Sequence, residues 1–400
     1  MKTIKINDGL QKIIDYRGKT PPKSATGITL ISAANVKSGT LDFSRREFIS
    51  EEDYANWTTR GFTKPGDVLF TTEAPTAEVA IYPEGGTYQI SRRVIALRTD
   101  EKILHNLYLF YLLQSPLVKQ RMTSANRGST VPRLLKTDIT QFIIEVPDYL
   151  QQKEIAKTLC CLDRKIENLR KQNETLEAIA QTLFKRWFVD FEFPNADGKP
   201  YKSSGGAMEP SELGDIPSGW RVGELGDVID NYDRKRIPLS SSERDLRKGS
   251  YPYYGASSVM DYIDDYIFDG TYVLMGEDGT VIDDRGFPVL QYVFGKFWAN
   301  NHAHILQGKS CYSTNILYLL LKRTRINNIV TGAVQPKINQ ANMNSIDLVI
   351  PDEKTLLKLD SVISSIFDKI KINVTHIQTL TQTRDVLLPK LMSGKLRIKT

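Results

Sequence analysis

The feature that most constrains this chain is an internal repeat, in which residues recur 204 positions later without a gap. Two copies of this length are too few and too long for a solenoid, which stacks at least three short units. The repeat therefore predicts two large related halves and a pseudo-twofold molecule. The matched positions are Gly128/Gly332, Pro132/Pro336, Arg133/Lys337, Ile144/Leu348, Val146/Ile350, Pro147/Pro351, Asp148/Asp352, Lys165/Lys369, Ile166/Ile370, Leu176/Leu380 and Leu183/Leu387.

Length and composition fit a globular protein of more than one domain. A chain of 400 residues exceeds what one hydrophobic core usually organises, and 40% hydrophobic and 25% charged residues are ordinary for globular proteins. The formal charge of +6 weakly favours a polyanionic partner. The three cysteines form no CxxC pair and predict neither a disulfide framework nor a structural zinc site. Without a long apolar run or a signal-peptide core, we expect a cytoplasmic protein.

Two long segments carry a heptad pattern of apolar residues, which is typical of coiled-coil helices. The first stripe runs from Ile155 to Trp187 and the second from Leu359 to Leu391, at equivalent positions of the repeat. A single narrow stripe is unstable alone in water, and the nearest matching stripe is on the same chain. Pseudo-twofold symmetry then requires an antiparallel pair. The alternative is that each helix packs separately on its own domain.

Each stripe contains one asparagine, and a buried amide is tolerated where a polar partner meets it. We therefore predict that Asn173 faces Asn373 and fixes the register of the pair. This register stacks apolar residues in the pairs Leu159/Leu387, Ile166/Leu380, Leu169/Ile377 and Leu176/Ile370.

The segments outside the two helices predict α+β globules. Short β-like runs at 66–71 and 271–275, and apolar turns at 107–113 and 316–321, predict strands and one buried helix in each half. The stretch from Pro194 to Pro217 is rich in Pro, Gly and Ser, and it predicts a surface linker.

Several fragments imitate enzyme motifs without completing them. Asp148, Asp163 and Lys165 resemble a nuclease pattern, but the second part lies within a heptad helix and the repeat lacks the lysine. His302 and His304 alternate as on one strand face, where no third metal ligand is evident, so we expect a solvated or hydrogen-bonded pair. We predict no catalytic, cofactor-binding or metal-binding residue in this chain.

Cationic and aromatic residues cluster in loop-like segments of both halves, where contacts with a nucleic acid could vary. Arg and Lys anchor phosphates and can contact guanine edges in the major groove. A binding role is favoured over scattered solvated charges because Arg133 and Lys337 occupy matching positions of the repeat. The candidate DNA-binding residues are Arg17, Lys19, Lys23, Arg92, Arg93, Arg127 and Arg133 in the first half, and Arg234, Lys235, Arg236, Tyr253, Tyr254 and Lys337 in the second.

Taken in order, six segments resemble the specificity subunit of type I restriction-modification systems over essentially the whole chain. Each is weak alone, but their order and twofold recurrence make the set specific. The segments are VPDYLQQKEI at 146–155, LDRKI at 162–166, LFKRWFVDF at 183–191, GKPYKSSG at 198–205, IPSGW at 216–220 and LLPKLMSGKL at 387–396.

The resemblance implies an α+β protein with two pseudo-twofold-related target-recognition domains separated by a long antiparallel two-helix coiled coil. Members of this family are non-catalytic, and each of their two domains recognises one half of a split site in double-stranded DNA. Because the two recognition units of this chain differ in sequence, we expect unlike half-sites and an asymmetric site. They bind two modification (methyltransferase) subunits and join restriction subunits, so S-adenosylmethionine, ATP and Mg are expected on the partners. The implied regions are 1–148 and 218–352 for the domains, 149–193 for the central conserved spacer helix, 194–217 for the linker and 353–400 for the C-terminal conserved spacer helix.

Two other functions fit parts of the pattern. A coiled-coil adaptor that never touches DNA would show no salt-dependent affinity for it, whereas phosphate contacts release counterions and weaken steeply with salt. A nuclease would cleave DNA with a metal and lose that activity in Asp148→Ala. We expect no cleavage by this chain.

Overall fold

The computed structural model of the protein describes residues 1–124, 132–332 and 335–398. The chain divides into two compact units, which we call unit 1 (Met1–Asn168 with His376–Thr400) and unit 2 (Leu169–Thr375). The division runs through both long helices. Each unit therefore contains part of the first long helix and part of the second.

Unit 1 contains most of its strands before the first long helix begins. Two short 3-10 helices, Ile6–Gly9 and Ala33–Asn35, add to the elements below. In chain order the elements are β1 (Lys2–Lys5), β2 (Leu10–Asp15), β3 (Ile28–Ile31), β4 (Val36–Lys37), β5 (Thr40–Leu41), β6 (Glu47–Ile49), α1 (Glu51–Trp57), β7 (Val68–Thr72), β8 (Thr76–Ile81), β9 (Tyr88–Ile90), β10 (Val94–Thr99), α2 (Asn106–Gln114), α3 (Pro116–Thr123), α4 (Lys136–Thr140), β11 (Ile143–Val146) and the start of α5 (Tyr149–Phe188).

The centre of unit 1 is an antiparallel sheet in the order β2-β10-β7-β8. Val68 and Phe70 belong to the core that contains α2, whereas Leu69 packs into a second core with Ile31 and Trp57. Strand β7 is therefore buried on both faces, which explains its unbroken apolar sequence. The predicted strand at 66–71 and the predicted helix at 107–113 are confirmed as β7 and α2.

Unit 2 follows the same plan after the end of α5. A 3-10 helix at Asp233–Lys235 adds to the elements below. In chain order they are β12 (Met208–Ser211), β13 (Gly214–Pro217), β14 (Arg221–Glu224), α6 (Leu225–Val228), β15 (Ile229–Asn231), α7 (Ser241–Leu246), β16 (Lys248–Tyr254), β17 (Val259–Ile263), β18 (Phe268–Gly276), β19 (Leu290–Ala299), β20 (Ala303–Gly308), α8 (Thr314–Leu321), α9 (Gln340–Asn344), β21 (Asp347–Ile350) and the start of α10 (Glu353–Met392).

The repeat is visible as shared topology. Strands β15-β20-β18-β19 of unit 2 lie in the same order as β2-β10-β7-β8 of unit 1, and β14 pairs with β21 as β1 pairs with β11. The units differ in their insertions. Unit 2 extends its sheet with β16 and β17, whereas unit 1 forms a separate sheet in the order β6-β3-β9. The predicted strand at 271–275 and helix at 316–321 are confirmed as β18 and α8.

The recurring Pro-Asp pair begins each long helix. The backbone N–H of Gln151 donates to Oδ1 of Asp148 at 3.0 Å, and that of Thr355 donates to Oδ1 of Asp352 at 2.9 Å. A carboxylate in this position satisfies a backbone donor of the first helical turn. Asp163 and Lys165 lie within α5, so the nuclease-like pattern is part of a capped helix.

The predicted antiparallel pairing of α5 and α10 is confirmed within each unit. In unit 1, Nη1 of Arg384 lies 2.9 Å from Oδ1 of Asp163, and Ile155 and Leu159 share a core with Leu388 and Leu391. In unit 2, Nδ2 of Asn373 donates to Oδ1 of Asn173 at 2.9 Å, which confirms the predicted register. The predicted stripe residues of both helices are all buried or half-buried.

The stretch at 194–217 is more ordered than a composition rich in Pro, Gly and Ser predicts. Strands β12 and β13 form a hairpin in it. The ring of Tyr201 stacks on Phe193 with centroids 4.5 Å apart, and Phe193 stacks on Trp220 at 5.1 Å. These three aromatic rings give this part of unit 2 a small core of its own.

Candidate nucleic-acid interface

Arg133 and Lys337, the two cations matched by the repeat, each lie beside a loop that contains acidic residues. In unit 1 the backbone of Arg133 bridges to Glu73, which follows β7. In unit 2 the backbone of Lys337 bridges to Asp278, which follows β18, the equivalent strand. Arg133 is exposed, and the Lys337 side chain is 58% exposed. The two matched cations therefore lie beside the loops that follow equivalent strands, and the bridge in unit 2 is one residue further along its loop.

Two more predicted cations of unit 1 meet at this position. Arg93 and Arg92 occupy the turn that precedes β10. Nη2 of Arg93 lies 3.0 Å from a carboxylate oxygen of Glu73, and Nη1 of Arg92 donates to Oγ1 of Thr20 at 3.4 Å. This turn thus joins the loop at Glu73 to the loop that contains Thr20. The structure brings together Arg92, Arg93 and Arg133.

The remaining described candidates of unit 1 have acidic or aromatic partners. Arg17 contacts both carboxylate oxygens of Asp15 at 2.6 to 3.0 Å. Burial opposes ionisation of Asp15, but the hydrogen bonds from Arg17 outweigh it and lower the pKa of this carboxyl.

Lys19 and Lys23 also have partners within unit 1. Nζ of Lys19 donates to the carbonyl oxygen of Trp57 at 2.7 Å and lies over that ring, and Lys23 pairs with Glu47 at 2.5 Å. Arg127, also a candidate, lies outside the described residues.

In unit 2, the exposed candidate Lys337 lies beside Asp278. Its carboxylate accepts a hydrogen bond from Nε2 of Gln335 at 2.5 Å and lies 3.5 Å from Nζ of Lys337 and 3.6 Å from His302. Arg234 and Lys235 are exposed on the short 3-10 helix after β15. Lys235 lies over the ring of Tyr232, with Nζ 5.0 Å from the centroid.

Arg236 corrects the sequence prediction, because its side chain is only 12% exposed. The guanidinium pairs with Glu277 and donates to the carbonyl oxygen of Ala303 at 2.7 Å, and it lies 3.6 Å from Asp233. These partners hold Arg236 inside unit 2. Its charge balances a buried carboxylate and is not offered at the surface.

His304 completes this network. Nδ1 lies 2.6 Å from Oδ2 of Asp233, and Nε2 lies 2.9 Å from the carbonyl oxygen of Ile338. Burial alone would lower the pKa of His304, but Asp233 and the Ile338 carbonyl outweigh it and raise the pKa. Burial of Asp233 is likewise outweighed, chiefly by His304, so the pKa of Asp233 is lowered. Both shifts favour the imidazolium form of His304 beside the ionised carboxylate of Asp233.

Within the described residues, a metal site is suggested by the side chains of Asp233, Glu277 and His304. Their potential ligand atoms all lie within 4.8 Å of one another. A metal ligand must present a free lone pair. Here Nε2 faces a carbonyl oxygen and must carry a proton, Nδ1 faces Asp233, and the guanidinium of Arg236 occupies Glu277. Of the two histidines, His304 is hydrogen-bonded on β20, and His302 is exposed in the turn before that strand.

The two tyrosine candidates are not exposed as predicted. Tyr253 is 1% exposed, because β16 lies between β17 and β19 and the ring packs with Ile263 and Trp298. Its hydroxyl accepts a hydrogen bond from the backbone N–H of Leu239 at 2.9 Å. Tyr254 is half-buried with its ring edge-on to Phe297. Tyr253 is therefore unavailable at the surface of unit 2, and Tyr254 is only partly accessible.

The sequence reasoning missed the acidic loops that hold the matched cations. Acidic residues were not among the predicted contacts, because a DNA-binding surface is expected to be positive. The 204-residue repeat nevertheless indicated these acidic residues. Glu73 and Glu277 are 204 residues apart, and each pairs with an arginine, Arg93 in unit 1 and Arg236 in unit 2.

No helix in the described ranges is long and apolar enough to cross a membrane.

Comparison with known proteins places this arrangement in a family. Residues 19–178 and 217–383 match the Type I restriction modification DNA specificity domain. The MjaIX specificity subunit of Methanocaldococcus jannaschii is 28% identical over 369 residues, which cover 88% of this chain and 82% of that protein. The HindI specificity subunit of Haemophilus influenzae is 21% identical over 410 residues, covering 83% and 87%.

A crystal structure of a type I S subunit from M. genitalium has the same fold, with a TM-score of 0.59, 16% identity and coverage of 98% and 95%. The domain match spans most of the chain in two segments, one for each copy of the repeat. The chain therefore belongs to the family of type I restriction-modification DNA specificity subunits.

Proposed function

We propose that this chain recognises a bipartite, asymmetric site in double-stranded DNA, with one half of the site bound by each unit. As a member of its family, the chain is the non-catalytic DNA-recognition subunit of a type I restriction-modification system. The main support for two half-sites is the equivalent placement of Arg133 and Lys337. Each cation lies on a segment that bridges to the loop after a central strand.

The asymmetry of the site is supported by the insertions. Unit 1 carries β3, β6 and β9 beside its central sheet, whereas unit 2 carries α7, β16 and β17. Phosphate contacts fix the position of a protein on DNA, and side chains that reach base edges determine sequence. Two units with equivalent cations but different surrounding elements should contact phosphates alike and bases differently.

The paired helices are proposed to set the spacing between the half-sites. Helices α5 and α10 have 40 residues each, a length of about 60 Å at 1.5 Å per residue. The Asn173–Asn373 pair in unit 2 and the Asp163–Arg384 pair in unit 1 penalise other registers. A fixed register gives a fixed number of unspecified base pairs.

The partners and cofactors belong to the same proposal. Two modification subunits would bind this chain and carry S-adenosylmethionine, and restriction subunits would add ATP and Mg. The assembly would act on DNA in the cytoplasm.

Methylation sequencing tests the proposal directly. DNA from cells that express this chain with its modification subunit should carry methylated adenine at a split site with two unlike halves. Binding of the purified chain to a duplex with that site should weaken steeply as salt rises. Methylation at an unsplit site would contradict the proposal, and absence of salt-dependent binding would favour a coiled-coil adaptor.

A matched pair of insertions tests the spacer. Seven residues are inserted in α5 after Leu176 and seven in α10 before Ile370, which preserves the heptads and leaves Glu177 with its partners Tyr318 and Lys322. Each insertion lengthens its helix by about 10 Å, so the spacer should grow by about three base pairs while both half-sites stay the same. An unchanged spacer would contradict the proposal. The control carries the α5 insertion alone and should lose the register.

A further inference from the structure

We infer that His304 is a positioning residue for recognition by unit 2, because as an imidazolium it joins the segments that present the exposed cations of this unit. This inference rests on the proposed function. His304 lies on strand β20, and two such segments contact its ring. They are the loop after β15, in which Asp233 precedes Arg234 and Lys235, and the segment in which Ile338 follows Lys337.

The contacts place His304 at the centre of these segments. Its Nδ1 lies 2.6 Å from Asp233, the residue directly before Arg234 and Lys235. Its Nε2 lies 2.9 Å from the carbonyl oxygen of Ile338, the residue directly after Lys337. The same segment is tied to the loop after β18, because the backbone N–H of Ile338 donates to the carbonyl oxygen of Glu277 at 3.0 Å.

The protonation of His304 follows from the atoms that it faces. A carbonyl oxygen can only accept a hydrogen bond, so Nε2 must carry a proton. Nδ1 faces a carboxylate oxygen of Asp233, whose other oxygen already accepts the backbone N–H of Ile305 at 2.8 Å. Both ring nitrogens therefore donate when the network is intact.

The charges around the ring balance only when His304 is protonated. Asp233 lies at 2.6 Å and Glu277 at 3.7 Å, and Arg236 pairs with Glu277 and lies 3.6 Å from Asp233. Loss of the proton leaves two carboxylates against one guanidinium and points a lone pair at Asp233. A buried charge without a partner is strongly unfavourable. The loop with Asp233, Arg234 and Lys235 should then detach from β20.

Unit 1 has no histidine at the position equivalent to His304, so it serves as an internal control. Thr71 and Met275 are 204 residues apart and occupy equivalent strands. Thr71 pairs with Val94, and Met275 pairs with His304. Valine thus stands in unit 1 where the histidine stands in unit 2. Recognition by unit 1 should not depend on an imidazole at this position.

The test selects bound duplexes from a library in which both half-sites and the spacer are randomised. The probe is the full-length chain, as wild type, His304→Asn, His304→Gln and His302→Asn, at about pH 6 and about pH 8.5. Asn can replace the donor to Asp233 and Gln the donor to Ile338, but neither carries a charge. His302 is the exposed histidine in the turn directly before β20.

For the wild type, we expect both half-sites to be enriched at low pH and the unit 2 half-site to weaken at high pH. Its affinity should fall by up to about tenfold for each pH unit above the folded pKa, since one proton is taken up with binding. The pH dependence should be absent in both His304 variants and present in His302→Asn. Enrichment of the unit 1 half-site in all four proteins shows that each one folds and binds.

Two results would overturn the inference while the proposed function stands. One is a wild-type unit 2 half-site that does not change with pH. The other is a pH dependence that survives in the His304 variants. Failure of the wild type to enrich any split site would instead contradict the proposed function.

Discussion

The side-chain nitrogen of Asn373 donates a hydrogen bond to the side-chain oxygen of Asn173 at 2.9 Å, where α10 and α5 pair within unit 2. Asn373 is fully buried, and within the described part of the chain its own side-chain oxygen has no partner. Leucine pairs would bury more apolar surface here. The amides instead make any shifted register unfavourable, because each would then face an apolar residue.

Removing one amide should therefore destabilise the helix pair, and removing both should not. In Asn173→Leu the side-chain nitrogen of Asn373 keeps only its longer hydrogen bond to Oε1 of Gln172 at 3.4 Å, so the free energy of unfolding should fall by about 1 to 3 kcal/mol. The double variant Asn173→Leu, Asn373→Leu should recover that loss or exceed the wild type. Urea unfolding followed by circular dichroism measures all three. Equal losses in the single and double variants would mean that the amides do not interact.

The two helix-capping aspartates should contribute unequally. Asp148→Ala should lower the free energy of unfolding by about 1 kcal/mol, the usual effect of losing an N-cap. Asp352→Ala should lower it more, because Asp352 also accepts a hydrogen bond from Nε1 of Trp220 at 3.1 Å. Asparagine at either position keeps an acceptor and is the control. Urea unfolding tests the order, and a larger loss in Asp148→Ala would contradict it.

The contribution of Asp352 should also depend on pH. Burial opposes its ionisation, but hydrogen bonds from Thr355 and Trp220 outweigh burial and lower its pKa. A carboxyl with a lowered folded pKa stabilises above its unfolded pKa and loses that effect as pH falls through the folded value. The gap in unfolding free energy between wild type and Asp352→Ala should thus narrow below about pH 4. A gap that widens in acid would contradict this sign.

The long helices and their register could be predicted because their determinants are local or repeated. Heptad spacing, one asparagine in each stripe and the Pro-Asp pairs are all visible in the sequence. The acidic loops could also have been predicted, because Glu73 and Glu277 are related by the same 204-residue repeat. Topology added what the repeat could not show, namely that Arg133 and Lys337 lie beside these loops.

The burial of Arg236 and Tyr253 could not be predicted from sequence. Arg236 lies in a cationic run that suggests a surface loop, but its partners Glu277 and Ala303 are 41 and 67 residues away. Tyr253 lies in an aromatic run, and its burial depends on β19 pairing beside β16. Long-range pairing of this kind leaves no periodic mark in the sequence.

The stabilisation given by His304 should fall as pH rises. Its folded pKa is raised above the ordinary value, so its effect is fully present below about pH 6.5 and is lost as pH rises through the folded pKa. Asp233 has a lowered pKa and stays ionised throughout this range. Hydrogen exchange of peptides from 229–240 and 303–308 should show protection lost at high pH in the wild type.

The variant His304→Gln should show weaker protection at low pH and little change with pH. The matched control is His302→Gln, because His302 is exposed and its loss should leave the pH dependence of these peptides intact. Protection that rises with pH in the wild type would contradict the assigned sign.

The last prediction separates cations that contact DNA from those that hold the fold. Arg133→Ala and Lys337→Ala should each weaken binding and reduce the dependence of log affinity on log salt by about one phosphate contact, because both side chains are exposed at equivalent loops. The charge-conserving variants Arg133→Lys and Lys337→Arg should keep the wild-type slope. Filter binding or fluorescence anisotropy over a salt series measures these slopes.

Arg236→Ala should behave differently because it removes the guanidinium that pairs with Glu277 and lies 3.6 Å from Asp233. Breaking a fully buried ion pair costs about 3 to 5 kcal/mol, and because the Glu277 side chain is 30% exposed, the free energy of unfolding of unit 2 should fall by less than this. Any loss of DNA affinity should then follow the loss of folded protein, and the salt slope of the protein that remains folded should match the wild type. A reduced slope in folded Arg236→Ala, with unchanged slopes in Arg133→Ala and Lys337→Ala, would reverse the assignment of these three residues.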